Sequence, residues 1–149
     1  MRVRIQREVD VDAPAREVWD YVTDWPRQGE WIPATRVENV DDADRIGGRF
    51  RAWSGIGRFG FWDPMTITAW ERTADGGGRC EVLHRGAVVK GEGEFAVVSR
   101  GEYASRFVWA EMVVVPLGGV GAPGLAPRAP ARGAADRSRP ELDAGAGRG

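Results

Sequence analysis

The stretch V-D-V-D-A-P-A-R-E-V-W-D-Y-V-T-D-W-P, from Val9 to Pro26, decides how this chain is read. Its first residues finish a strand, Ala13-Pro14 stops that strand, and a helix starts at once. Pro14 suits a first helical turn, where its missing N–H would have no partner in any case. Glu17 follows in that turn, at the favourable end of the helix dipole. Val18, Val22 and Trp25 recur at i, i+4 and i+7, which gives the segment one apolar face. Trp25 stands before Pro26, which disfavours helix at Trp25 and ends the segment.

Working outward, Val3, Ile5, Val9 and Val11 are interleaved with Arg4, Gln6, Glu8 and Asp10, the pattern of a half-buried strand over 3–11. After Pro26, Gln28 to Ile32 predicts a second short turn of helix. Strands follow at Thr35 to Val40, Arg49 to Ser54, Met65 to Arg72, Arg79 to Arg85, Val88 to Val98 and Tyr103 to Val115. Asp75-Gly76-Gly77-Gly78 and Ser99-Arg100-Gly101 supply turns between them. The segment G-I-G-R-F-G-F-W, Gly55 to Trp62, reads as a mobile lid whose glycines permit tight turns and whose aromatic residues cover a ligand. One strand, two short helices and then a meander predict an α+β helix-grip fold, a curved antiparallel sheet of about seven strands closing on an internal cavity.

The 149 residues suit one domain, and 42% hydrophobic residues with seven Trp supply a core. A net charge of −1 gives no general attraction to nucleic acid or to an anionic membrane surface. Cys80 is the only cysteine, so no intrachain disulfide can form. No signal-peptide pattern is present and no apolar run approaches the roughly 20 residues that span a bilayer, so a cytoplasmic protein without an integral membrane segment is expected. From Pro116 the character changes: the last 34 residues hold eight Gly, eight Ala and five Pro and no aromatic residue. That composition predicts disorder, so residues 1–115 are read as the folded domain and 116–149 as a tail.

The chain resembles the START-like, or SRPBCC, superfamily, in its polyketide cyclase/dehydrase and lipid transport branch. The residues that carry the resemblance are A-P-x-x-x-V-W-D at Ala13 to Asp20 with Asp24-Trp25 after it, and G-x-G-x-x-G-F-x-D-P-M at Gly55 to Met65. F-x-W-x-E at Phe107 to Glu111 and Pro116-Leu117-Gly118 complete the set, so the likeness covers roughly 1–118. It implies a deep apolar cavity between a curved sheet and a long C-terminal helix, and ligands such as lipids, polyketides or quinones; only some members are enzymes. The chain departs from the pattern where that helix belongs, because Pro123, Pro127, Pro130 and Pro140 would each interrupt a helix at a cost of about 3 kcal/mol or more. Two readings of the segment stay open, a shifted reading frame in GC-rich DNA and a disordered tail.

Gly55-x-Gly57-x-x-Gly60 and Gly119-x-Gly121-x-x-Gly124 both fit the dinucleotide fingerprint in form. Neither is followed by the helix whose N-terminus would hold a pyrophosphate, so no nucleotide cofactor is expected. Cys80 and His84 lie four apart on one strand face, too few ligands for a stable zinc site, and no metal is expected. No G-x-S-x-G is present to support a Ser-His-Asp hydrolase. Alternation along the later strands is more informative. It turns Tyr103, Ser105, Phe107, Trp109, Glu111 and Val113 inward, together with Gly91, Gly93, Phe95 and Val97, and with Cys80, Val82 and His84. The expected ligand-facing residues are Phe50, Phe95, Phe107, Trp109 and Met65, with Trp31 at the mouth and Phe59 and Trp62 on the lid. His84 and Glu111 are the polar points. A buried carboxylate has a raised pKa and can act as general acid or base with His84; alternatively Glu111 pairs with an arginine near the sheet edge.

The expected function is binding of a small hydrophobic ligand, lipid-like, quinone-like or polyketide-like, as a carrier or sensor. A polyketide cyclase or aromatase using Glu111 and His84, and a protein-interaction module, are the alternatives. If the reading frame has shifted, one of the other two frames downstream of Leu117 encodes an amphipathic helix, and translating both checks this.

Overall fold

A computed structural model describes residues 1–114 of the chain. The expected end of the last strand at Val115, the boundary at 115/116, the tail and the expected absence of a C-terminal helix fall wholly or in part outside them. Within them the elements are β1 (Arg2–Val11), α1 (Ala15–Val22), a 3-10 helix (Trp25–Glu30), β2 (Thr35–Asp41), β3 (Arg49–Ile56), β4 (Phe59–Arg72), β5 (Gly78–Arg85), β6 (Lys90–Ser99) and β7 (Ser105–Val114). The seven strands form one antiparallel sheet in the order β1-β7-β6-β5-β4-β3-β2. Each of β2 to β7 therefore lies beside the next in sequence, and β1 returns to close on β7, with Val9 opposite Phe107 and Ile5 opposite Glu111.

The helical pair is what turns this sheet into a grip. Pro14 stands as the N-cap of α1, and Val18, Trp19 and Val22 are buried on its inner side. Trp25 does not finish α1. It opens the 3-10 helix, because Pro26 cannot continue α1 but suits the first position of a new turn. α1 lies over β6 and β7, while the Trp25–Glu30 turn lies against β2 at the far edge. The helices thus cross the concave face between the two ends of the sheet.

Aromatic rings fill the space between. Trp25 stacks on Phe50 at 4.3 Å and meets Phe95 edge-on at 5.7 Å. Its indole N–H donates to the Ala43 carbonyl at 2.6 Å, so the polar atom of this buried ring is satisfied. Trp19 meets Trp70 edge-on at 5.1 Å. A bulge in β4 makes that contact possible: the register shifts between Ile67 and Ala69, so that Trp70 pairs with Cys80 and falls into the inner row.

The Gly55–Trp62 segment is strand-paired and not a glycine-rich loop. It is the tip of a tight β3–β4 hairpin, with Ile56 paired to Phe59 across Gly57 and Arg58. Gly57 has φ +61, which permits a two-residue connection of this kind. Strand β4 also begins earlier than expected and runs through Pro64.

Trp25→Ala is expected to cost about 3–5 kcal/mol, because it removes a large buried ring and its stacking partners together. Ile56→Ser, at the 81%-exposed hairpin tip, should change stability by no more than about 0.5 kcal/mol. Urea unfolding of both variants measures the difference; equal losses would rule out the aromatic wedge as a keystone.

Candidate functional site

The inner rows of β3 to β7 meet beneath the Trp25–Glu30 turn in a pocket of about 80 Å³, partly open to solvent. Its polar corner is built from three strands. His84 follows Cys80 and Val82 in the inner row of β5, and Met65 of β4 pairs with it across the ladder. Asp63 lies two residues before Met65 and so faces the same way. His84 Nδ1 donates to Asp63 Oδ2 at 2.7 Å, with both side chains at least nine-tenths buried. This bond fixes the ring and turns Nε2 toward Glu111 Oε1 on β7, 4.0 Å away.

His84 and Glu111 are on β5 and β7, which are not neighbours. Strand β6 runs between them, and Gly93 is the residue that faces both Val82 and Glu111. A Cβ there would lie 3.2 Å from His84 Nε2 and 3.7 Å from Glu111 Cγ. Glycine therefore leaves the intervening strand bare, and the imidazole and the carboxyl approach each other over it.

Burial pushes the Glu111 carboxyl up. The His84 charge pulls it down, the Asp63 charge raises it again, and the result is a value of about 7. The Trp109 indole favours the charged form slightly, yet its N–H completes no hydrogen bond among the described residues. For His84, burial works to lower the pKa, but the Asp63 hydrogen bond and the charges of Asp63 and Glu111 outweigh it, and the net shift is upward. Burial pushes the Cys80 thiol up to about 12, which makes it a core residue and no nucleophile.

Of the residues expected to face a ligand, Trp109, Phe95, Met65, His84 and Glu111 do line this pocket. Phe50, Phe107 and Trp31 do not: they are spent on packing, Phe50 under Trp25 and Phe107 against the edge of Trp31. Trp62 is on the convex face, since it alternates with Phe61 and Asp63, and Arg51 and Arg36 lie over its ring at 3.9 and 5.5 Å. Phe59 is 75% exposed at the hairpin tip. Glu111 takes His84, not an arginine, as its ion-pair partner among the described residues. Sequence reasoning missed Asp63, Phe61 and Gln28. The first two were legible from the alternation Phe61, Asp63, Met65, Ile67, but Pro64 argues against a strand interior and hid the row. Gln28 carries no such signal.

The family model described as polyketide cyclase/dehydrase and lipid transport matches residues 2–144. The chain belongs to that family. The match extends past the 118 residues that carry the visible motifs. A search of curated proteins gives no match. Among solved structures, the chain is similar to a START superfamily protein from Mycobacterium smegmatis, at 17% identity over 79% of this chain and 81% of that one, with a TM-score of 0.60. It is similar to the Zhui aromatase/cyclase from Streptomyces sp. R1128, at 17% identity over 80% and 72%, with a TM-score of 0.61. It is also similar to norcoclaurine synthase from Thalictrum flavum, at 14% identity over 77% of each chain, with a TM-score of 0.54. These likenesses establish the START-like helix-grip fold of this family member. No helix among its described residues is long and apolar enough to cross a membrane.

The pocket charges set a pH dependence of stability. The folded state holds the Glu111 proton up to about 7, whereas the unfolded chain releases it near the ordinary 4.5. Between those values the folded state binds more protons, so stability falls as pH rises. The raised His84 pKa acts in the same direction, its stabilisation being complete below 6.5 and lost as pH rises through the folded value. Relative to wild type, Glu111→Gln should gain on the order of 1–3 kcal/mol between about pH 5 and about pH 8. Thermal or urea unfolding at both pH values reads this, and parallel pH curves for the two proteins would rule it out.

Proposed function

We propose that this protein binds a small, largely apolar ligand whose polar end enters the pocket beside His84 and Glu111. The observation that carries the reading is the Asp63–His84–Glu111 line. It is an imidazole oriented by one buried carboxylate, whose second nitrogen makes no hydrogen bond among the described residues and faces its ion-pair partner, a second carboxyl, 4.0 Å off. A buried polar group without a partner is costly, and a ligand atom that pairs with it recovers that cost on binding. The apolar walls at Ile32, Met65, Phe95 and Val89 supply affinity by burial, at about 25 cal/mol per Å². The pocket itself is far below the roughly 300 Å³ at which sites for drug-sized molecules begin, so the body of a larger ligand would lie at its open side.

A second reading, acid–base catalysis on a carbonyl compound of the polyketide type, is favoured by one specific fact. The Glu111 pKa of about 7 places a proton acceptor and donor near working pH, beside an imidazole whose orientation Asp63 fixes. In that case Glu111 takes a proton from carbon and His84 delivers one to oxygen. The carrier and the enzyme use the same residues and differ in whether a proton moves.

Native mass spectrometry of the full chain tests the first reading: a small-molecule mass excess that disappears on denaturation is expected. His84→Leu should weaken retention of that molecule roughly tenfold, the loss of one charge-assisted hydrogen bond. Glu111→Gln separates the two readings, since an enzyme loses turnover with nearly unchanged affinity, whereas a carrier changes affinity alone. Retention indifferent to both substitutions would refute the site.

A further inference from the structure

We infer that the roof of the pocket is a hydrogen-bond donor site for an uncharged carbonyl oxygen, with Gln28 as the residue that selects it and Trp109 as its second donor. The inference rests on the ligand-binding reading above and adds the chemical class of the ligand's polar end.

Gln28 is the centre of the argument. It is 2% exposed, lines the pocket, and its side-chain Nε2 has no hydrogen-bond partner among the described residues. Its position is not an accident of a loose loop. The Gln28 backbone carbonyl accepts from both Trp31 N at 3.1 Å and Ile32 N at 2.8 Å, which closes the helical turn. Trp25 anchors the start of the same turn. A rigid turn therefore holds a buried amide over an apolar pocket. Trp109 Nε1, on β7, is another pocket-lining donor that completes no hydrogen bond among the described residues, as is His84 Nε2, although the indole also acts on Glu111.

The ligand class follows from which groups satisfy these atoms together. An amide N–H and an indole N–H can only donate, so the ligand atom between them accepts. A carboxylate would accept, but it would bring a third acid into a space that already holds Asp63 and Glu111, and like charges at close range are unfavourable. An ammonium would suit the acids and leave both donors unpaired. A hydroxyl accepts as well, but its own proton must then be taken up by Asp63 or Glu111, the acids of the same pocket, so 1-phenylethanol is the competitor that the probes have to separate from the ketone. A ketone, ester or amide carbonyl matches both donors and adds no charge. About 80 Å³, the room of two or three waters, accommodates that oxygen and its adjoining carbons.

Five probes of one skeleton separate the possibilities: acetophenone, 1-phenylethanol, 1-phenylethylamine, benzoate and ethylbenzene. Binding to the full chain is followed by the 15N–1H signals of the Gln28 side-chain amide and the Trp109 indole. Acetophenone should bind roughly five-fold more tightly than ethylbenzene, and more tightly than the other three, and should shift both signals. Gln28→Leu should lose that preference, keep its ethylbenzene affinity, and unfold no more readily than wild type, because it replaces an unpaired buried amide by an apolar side chain of similar size. Trp109→Phe, which keeps the ring and removes the N–H, should lose part of the preference as well. If acetophenone and ethylbenzene bind alike, water serves the donors equally well and the carbonyl assignment is overturned, while the pocket reading survives. Tightest binding of the alcohol, the amine or benzoate also overturns it. If no probe binds, the ligand-binding reading fails and this inference fails with it.

Discussion

The indole of Trp25 lying flat on Phe50, with Phe95 at its edge, is the contact on which the remaining architecture depends. The sheet alone offers a concave apolar face that water would wet. Trp25 brings the helical turn down onto that face from the β2 side, while Trp19 anchors α1 against Trp70. Two rings therefore hold the helical pair across the sheet. The turn that Trp25 opens then places Gln28 over the polar corner and Trp31 against Phe95 and Phe107. Packing and site construction are in this way one event: the roof of the pocket is the same turn that closes the core.

Within that core the protein keeps a costly arrangement. Asp63 and His84 are buried together, and Glu111 stands close by with a pKa lifted by its burial. An apolar trio of equal volume would in general be at least as stable. The strand between His84 and Glu111 is kept bare at Gly93, which gives up side-chain packing so that the two groups can approach. Perturbed titratable groups, unpartnered donors and a glycine gap occur at one place, while the walls around them are aromatic and aliphatic. That coincidence is the ground on which the ligand-binding proposal rests.

Much of this was legible one strand at a time. Period-two alternation placed Phe95, Trp109, His84 and Glu111 inward because each of their strands has charged residues on the other face. The same rule turned Tyr103 inward as well, yet Tyr103 is 71% exposed, because β7 begins only at Ser105 and the pleat does not extend back through the turn before it. It was silent on β4, where Pro64 masked the row that contains Asp63, and where a bulge switches the inward residue from Ile67 to Trp70. It also read the glycines from Gly55 to Gly60 as freedom, whereas the ladder to Phe59 makes them a hairpin.

The sequence by itself determined the fold family, the meander and the faces of the strands, because these depend on local periodicity and on where proline and glycine permit the chain to turn. It did not determine which inward aromatics would be used up in packing and which would border the pocket. Phe50, Phe107 and Phe95 look alike along the chain and differ only in what the helical turn sets on top of them. Nor could it join Asp63, His84, Glu111 and Gln28, which come from four separate elements. Their distances are fixed by strand register and by the seat of Trp25, and those are settled only when the whole sheet has closed.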